Sequence, residues 1–337
     1  MASYRKRGKA WRAEVARGGI RESATFDTKG EAVAWATKLE AEIDAGKRRP
    51  YTKIAKTLSD GFDEYIDKVS PALAKHEWNK TRLEFFRASM GEFVGELMRS
   101  IKPEDVARWR DKRLKSVKSS TVNRDLNLLS AVFTAARDEW KWIHENPLSD
   151  VKRPRDPPPR DRRVPDSDAL AICGALGLSP GGPIETAQQY VAVAFLLAIE
   201  TGMRQGEILR LTWPDVHLPE RYVHLPKTKN GDARDVPLSR RALELLEGLP
   251  RIAGESRAFP VNQGSADALW RKCRNRLAKT MPSIATLKFH DSRHEATTRL
   301  AKKLHVLALA KMIGHRDIQS LMIYYDETAA ELAARLD

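Results

Sequence analysis

Apolar positions follow two rhythms along this chain. Near the start, Trp11, Ala13 and Val15 alternate with charged residues, which is the period of a half-buried strand. Gly18-Gly19 supplies a hairpin turn and IRESATF the returning strand. The spacing then changes to threes and fours. Val33, Ala36, Leu39 and Ile43 predict a helix, Thr28 and Glu31 stand at capping-box distance before it, and Gly46 stands where it should stop. GKRRPYTK follows as a basic linker.

From residue 57 the helical rhythm dominates. Leu58, Phe62, Tyr65 and Val69 lie on one stripe, and Pro103 suits the first turn of a further helix. SSTVNRDLNLLSAVFTAARDEWKWI is the longest amphipathic stretch, ended by Asn146-Pro147. KRPRDPPPRDRRVP, residues 152–165, reads as a stiff, solvated, cationic linker. Beyond it the chain is mostly helical, with YVAVAFLLAIE reading as a buried helix. YVHLPKTKNGDARDVPL is an exception, with two short extended runs flanking the hairpin signal Asn230-Gly231. The pattern predicts a β-rich head at 1–50, a helical body at 57–152, a basic proline-rich linker at 153–165 and a third unit at 166–337.

Composition narrows the classes of function. The chain has 337 residues, 42% of them hydrophobic, enough for two or three packed cores. No apolar run approaches the roughly 20 residues of a membrane span, and the basic N-terminus lacks the apolar segment of a signal peptide. Cys173 and Cys273 show no metal-ligand spacing and read as buried residues in a reducing cytoplasm. Net charge is +14, and residues 1–56 supply +7 of it, with 14 Lys/Arg against 7 Asp/Glu. Such a surface favours a polyanion, although ribosomal and membrane-surface proteins share it. Arg5, Lys6, Arg7 and Arg12 are the densest candidates for DNA contact; Lys80 and Arg124 are candidates on the helical body, where Arg82 and Arg87 also lie.

Polar residues interrupt the apolar pattern of the third unit at three places: TGMRQGEILRLTW, FHDSRHEATTRLA and IGHRDIQSLMIYY. They carry Arg204, the pair His290 and Arg293, and His315 with Tyr324 and Tyr325. Arginine offers a planar fork of donors matched to phosphate oxygens, so two arginines with histidines and a tyrosine suggest a phosphate site. Each alone is more often a structural residue. HDSRHE superficially matches the zinc-protease HExxH signature, but Asp291 stands where that motif needs glutamate.

These stretches resemble the signature boxes of the tyrosine recombinase family, and the three-part layout resembles the lambda-type phage integrases. The resemblance implies a mainly α fold with small β elements: an N-terminal three-stranded sheet plus helix, a helical core-binding bundle and a mixed α/β catalytic domain of tyrosine recombinase type. It implies arm-site DNA binding by residues 1–50, core-site binding by 57–152 and catalysis by 166–337. Residue by residue, Arg204, His290, Arg293, His315 and the nucleophile Tyr324 match the family pattern, with Glu207 as its structural acid. Ser292 departs from the usual leucine. Lys227 and Lys229 both lie in the hairpin; Lys229 has Arg234 and Val236-Pro237 at the family spacings. The implied activity is site-specific recombination through a 3′-phosphotyrosyl intermediate, needing no metal or other cofactor and integrating or excising phage or island DNA. The implied partners are double-stranded attachment-site DNA and a tetramer of this chain, in the bacterial cytoplasm and away from membranes. An excisionase and a host DNA-bending protein are partners the resemblance admits. A type IB topoisomerase and an inactive DNA-binding regulator of the same fold are the alternatives.

Overall fold

A computed structural model describes residues 2–45, 54–158, 160–226, 233–325 and 333. The chain divides into two compact units, Met1–Pro158 and Pro159–Asp337.

Within the first unit, β1 (Ala2–Arg7), β2 (Ala10–Arg17) and β3 (Ile20–Phe26) form an antiparallel sheet in that order. Both glycines of the second turn have positive φ, 57° and 78°, which explains the Gly-Gly pair. Helix α1 (Lys29–Asp44) packs Ala32, Ala36 and Leu39 against Ala13 and Val15. Thr28 and Glu31 make both hydrogen bonds of the capping box, at 3.2 Å each. Val33 is 38% exposed, and Ala32 takes the core position that the spacing gave to Val33. Gly46 lies outside the described residues.

Opposed residues in an antiparallel sheet share a face. Tyr4 pairs with Ala13 and Lys6 with Trp11, so these lie on the helix side. Arg5 pairs with Arg12, and Arg12 with Thr25, on the open side, where alternation also puts Arg7. Lys6 is therefore separated from the three arginines with which the sequence grouped it.

A second apolar core is built by α2 (Leu58–Glu64), α3 (His76–Ser89), α4 (Pro103–Leu114) and α5 (Ser119–Asp138). Helix α2 runs into a π-helical turn at Tyr65–Val69. Buried Asp125 accepts Arg82 through both carboxylate oxygens and Arg113 at 3.3 Å. Arg87 bonds Ser59 and Asp63, so Arg82 and Arg87 serve the fold, while Lys80 and Arg124 are exposed. Helix α5 ends at Asp138, short of Asn146-Pro147, where the chain turns through Lys141 at φ 56° and packs Trp140 against Trp142, ring centroids 4.7 Å apart and tilted by 45°.

The second unit contains α6 (Asp166–Ala175), α7 (Ala187–Thr201), the short α8 (Gln205–Ile208), β4 (Val216–His217), β5 (Tyr222–Leu225) and β6 (Arg234–Pro237). Then follow α9 (Arg240–Glu247), α10 (Gln263–Leu277), α11 (Asp291–Ala301) and α12 (Val306–Ile313). The strands form an antiparallel sheet in the order β4-β5-β6. Helix α7 is apolar almost all round and is the buried centre of this core. The structure thus has the mainly helical architecture with two small sheets that the sequence predicts. Among the described residues, no helix is long and apolar enough to cross a membrane.

The second half of the linker is not a solvated run. Arg160 forks onto buried Asp291 at 2.7 and 2.8 Å, Arg162 reaches buried Asp168 at 2.7 Å, and Arg163 forks onto buried Glu295 at 2.7 and 3.0 Å. These arginines are occupied by carboxylates of the second unit and are not free to follow a phosphate backbone.

Candidate active site

Two glycines let three segments meet. Gly202 caps α7 at φ 68°, and a Cβ there would lie 2.9 Å from Ile313. Its carbonyl accepts Nη1 of Arg293, whose Nη2 donates to the Ile313 carbonyl at 2.7 Å. Gly314 caps α12 at φ 66°, and a Cβ there would come within 3.0 Å of the Arg234 guanidinium. Arg293, only 6% exposed, is thereby locked between the ends of α7 and α12.

Arg204 is the N-cap of α8. Its backbone N–H and guanidinium both donate to Glu207, at 2.9 and 2.8 Å. Arg234 donates to the same carboxylate at 3.1 and 2.8 Å and to the Met312 carbonyl at 3.0 Å. Burial pushes the Glu207 carboxyl up, but bonds from Arg234 and Arg204 overcome it and hold the group at about 2. Two guanidiniums therefore bond one carboxylate, and the third, that of Arg293, feels its charge without bonding it. Burial and then the neighbouring Arg204 push Arg293 down, to about 9, where it is still cationic at neutral pH. The excess positive charge, in a site with little solvent, is what an anion would neutralise.

Tyr324 closes a 3-10 turn, Gln319–Tyr324. Its hydroxyl lies 2.7 Å from Nδ1 of His294, whose Nε2 lies 3.1 Å from Asp161. Burial pushes its phenol up, and Arg293 opposes part of that. Tyr325 donates to the Leu304 carbonyl at 2.7 Å, so the adjacent tyrosines serve different partners. With about three residues per turn, neighbouring side chains of a 3-10 turn point to different sides, so one phosphate cannot face both.

Of the other predicted residues, His315 follows Gly314 and bonds Ser320 at 3.0 Å and the Asp317 carbonyl at 3.2 Å through Nδ1. It lines a cavity of about 620 Å³ with Arg234, Lys311 and Arg316. His290 is the exposed N-cap of α11 and does not stand inside the helix with Arg293; its carbonyl accepts the Arg293 N–H at 3.1 Å. Ser292 is buried and donates to the Phe289 carbonyl at 2.6 Å, satisfying the hydroxyl where leucine is usual. Lys227 and Lys229 lie outside the described residues.

Comparison with known proteins identifies the family. The phage integrase family matches residues 182–331, and the phage integrase N-terminal domain matches residues 55–155. A putative integrase/recombinase of Haemophilus influenzae is 37% identical over 98% of this chain and 89% of its own. The shufflon-specific DNA recombinase of Escherichia coli is 34% identical over 86% and 74%. A lambda integrase dimer bound to a COC′ core site has a similar fold, with a TM-score of 0.64, 17% identity and coverage of 96% and 94%. The chain belongs to the phage integrase family of tyrosine recombinases. It is an integrase/recombinase, an enzyme of site-specific DNA recombination.

His294, Arg234 and the 160–163 segment were missed as parts of the site. His294 was visible only as the second histidine of the zinc-like decoy. Arg234 was visible only as a spacing marker. In the linker, the signal was the charge alternation of Arg-Asp-Arg-Arg, which answers Asp291, His294 and Glu295 on one helix.

Proposed function

We propose that this chain cleaves and rejoins DNA through a 3′-phosphotyrosyl intermediate, with Tyr324 as nucleophile, and so integrates or excises phage or island DNA. The observation that carries the reading is the convergence of Arg204, Arg293 and Tyr324 around Glu207 and Arg234, since two guanidiniums and the phenol share one partly buried, cationic site. The phenol oxygen attacks the phosphorus, and the 5′-oxygen leaves. Arg204 and Arg293 hold the non-bridging oxygens, where negative charge builds in the transition state. His315 bonds the same phosphate, His290 assists proton movement there, and Lys229 is general acid to the leaving 5′-oxygen. The covalent ester preserves the phosphodiester's free energy, so rejoining needs no ATP.

The three separate apolar cores support a division of labour. The sheet and helix of 1–50 bind arm sites, the helices of 57–152 bind the core site with Lys80 and Arg124 at phosphates, and the rest catalyses. One solved relative is a lambda integrase tetramer bound to a Holliday junction; the working form proposed here is likewise a tetramer on attachment-site DNA, in the bacterial cytoplasm, with an excisionase and a DNA-bending host protein as accessory partners.

A nicked suicide substrate built from the DNA flanking the gene tests this. The wild-type chain should accumulate a covalent adduct, Tyr324→Phe should bind without forming one, and Tyr325→Phe should retain it. Adduct formation by the Tyr324 variant, or none by wild type, refutes the assignment.

A further inference from the structure

We propose that His294 is the base that takes the proton from Tyr324, its tautomer fixed by Asp161, so that carboxylate, imidazole and phenol form one relay. This rests on the transesterification reading above and adds the group that accepts the nucleophile's proton.

Geometry sets the direction of the relay. An ionised carboxylate only accepts hydrogen bonds, so at 3.1 Å from Asp161 the Nε2 atom must carry the ring's hydrogen. In the neutral ring Nδ1 then holds a lone pair, and the Tyr324 hydroxyl at 2.7 Å donates to it. The two rings lie 5.2 Å apart, tilted by 54°, so the phenol is held from one side by the imidazole.

A second observation is independent of that pair. Arg160 binds Asp291 and Arg163 binds Glu295, so Asp161 is carried between two anchored neighbours. Asp291, His294 and Glu295 are at i, i+3 and i+4 of α11 and share one face. Two ion pairs to buried carboxylates thus hold an exposed carboxylate against the imidazole that touches the phenol. Burial makes this phenol harder to ionise than a free tyrosine, which raises the value of an adjacent acceptor.

The step balances. The Tyr324 Oη–P bond forms as Oη–H breaks, and the proton passes to Nδ1, giving an imidazolium that Asp161 stabilises. The P–O5′ bond breaks, and the 5′-oxygen takes its proton from the general acid. On rejoining, the 5′-hydroxyl attacks the phosphorus and gives its proton back to the general acid, the Oη–P bond breaks, and His294 returns its proton to the departing phenol.

The test is single-turnover adduct formation by the full chain on the nicked substrate. His294→Ala should cleave about 10²-fold or more slowly, with unchanged affinity for the DNA. Added free imidazole should restore part of its rate and none of that of Tyr324→Phe. Asp161→Asn, at a side chain 89% exposed, should lose only several-fold. His294→Gln, which can still hydrogen-bond but has no basic nitrogen, is read alongside, with its thermal melt, should the alanine variant not fold. A natively folded His294→Gln that cleaves slowly supports the relay. Cleavage by either His294 variant at the wild-type rate or faster overturns it, as does an imidazole-insensitive loss that tracks weaker DNA binding. A wild-type chain that forms no adduct instead refutes the tyrosine assignment.

Discussion

At the scale of the residue, Glu207 sets the charge of the site. Its carboxyl is held at about 2, below its ordinary 4.5, by two arginines. Glu295 is held at about 2 in the same way, against burial, by Arg163 and Arg299. A carboxyl depressed in the folded state stabilises fully above 4.5 and loses that contribution as pH falls through the interval down to about 2. The difference amounts to about 3 kcal/mol per group at most. Glu207→Gln should therefore lower stability at neutral pH and flatten the acid limb between about pH 4.5 and 2. Urea melts across that range check it; parallel acid limbs for variant and wild type would remove the ion cluster from the account of stability. The choice between Lys227 and Lys229 is open to a chemical test. Lys229→Ala should slow cleavage far more than Lys227→Ala, and a bridging 5′-phosphorothiolate, whose leaving group needs no proton, should rescue Lys229→Ala and not Arg204→Ala. Equal rescue of both would end the general-acid assignment.

At the scale of the element, the site depends on how α7 stops. The sequence showed a Thr-Gly break before Arg204, and a break was legible as such. That the glycine also makes room for Ile313 and offers its carbonyl to Arg293 was not, because both partners lie about a hundred residues away. Gly202→Ala should cost about 2–3 kcal/mol, from the left-handed backbone and the crowding together. Cleavage should fall further than folding does, since Arg293 would shift. A variant that melts and cleaves like wild type would show that α7 can end otherwise. The same limit explains the other misreadings. The capping box at Thr28, the Gly-Gly turn and the paired strands around Asn230-Gly231 are local codes and were read correctly. The linker's arginines, the early end of α5 and the choice of Ala32 over Val33 depend on tertiary partners, which a pattern of charge or period does not name. Tyr324 and Tyr325 fall between: their separation followed from adjacency alone, but His294 as the partner of one of them did not.

At the scale of the whole molecule, the N-terminal sheet bears on where the chain grips DNA. The sequence grouped Arg5, Lys6, Arg7 and Arg12 as one basic cluster. The register divides them, placing Arg5, Arg7 and Arg12 on the face that α1 leaves open and Lys6 on the other. Arg12 is also bonded to Ser23 at 2.8 Å across the sheet, which orients its guanidinium over that face. If this face meets the outer sites, three phosphate contacts are expected there. Each neutralised phosphate releases counterions, so log affinity should fall with log salt at a slope of roughly −0.9 per contact, or about −3 in all. Arg5→Ala and Arg7→Ala should each reduce the slope by about one, and Lys6→Ala should leave it unchanged. Deleting residues 1–50 should abolish protection of the outer sites and spare covalent cleavage of the core site, because the apolar core of the sheet and helix is separate from those of the other two bodies. Footprinting full-length and truncated proteins on the same attachment DNA checks both. Identical protection would make residues 1–50 a basic head with no sites of its own, and a Lys6 effect equal to that of Arg5 would mean that the open face is not the one that binds.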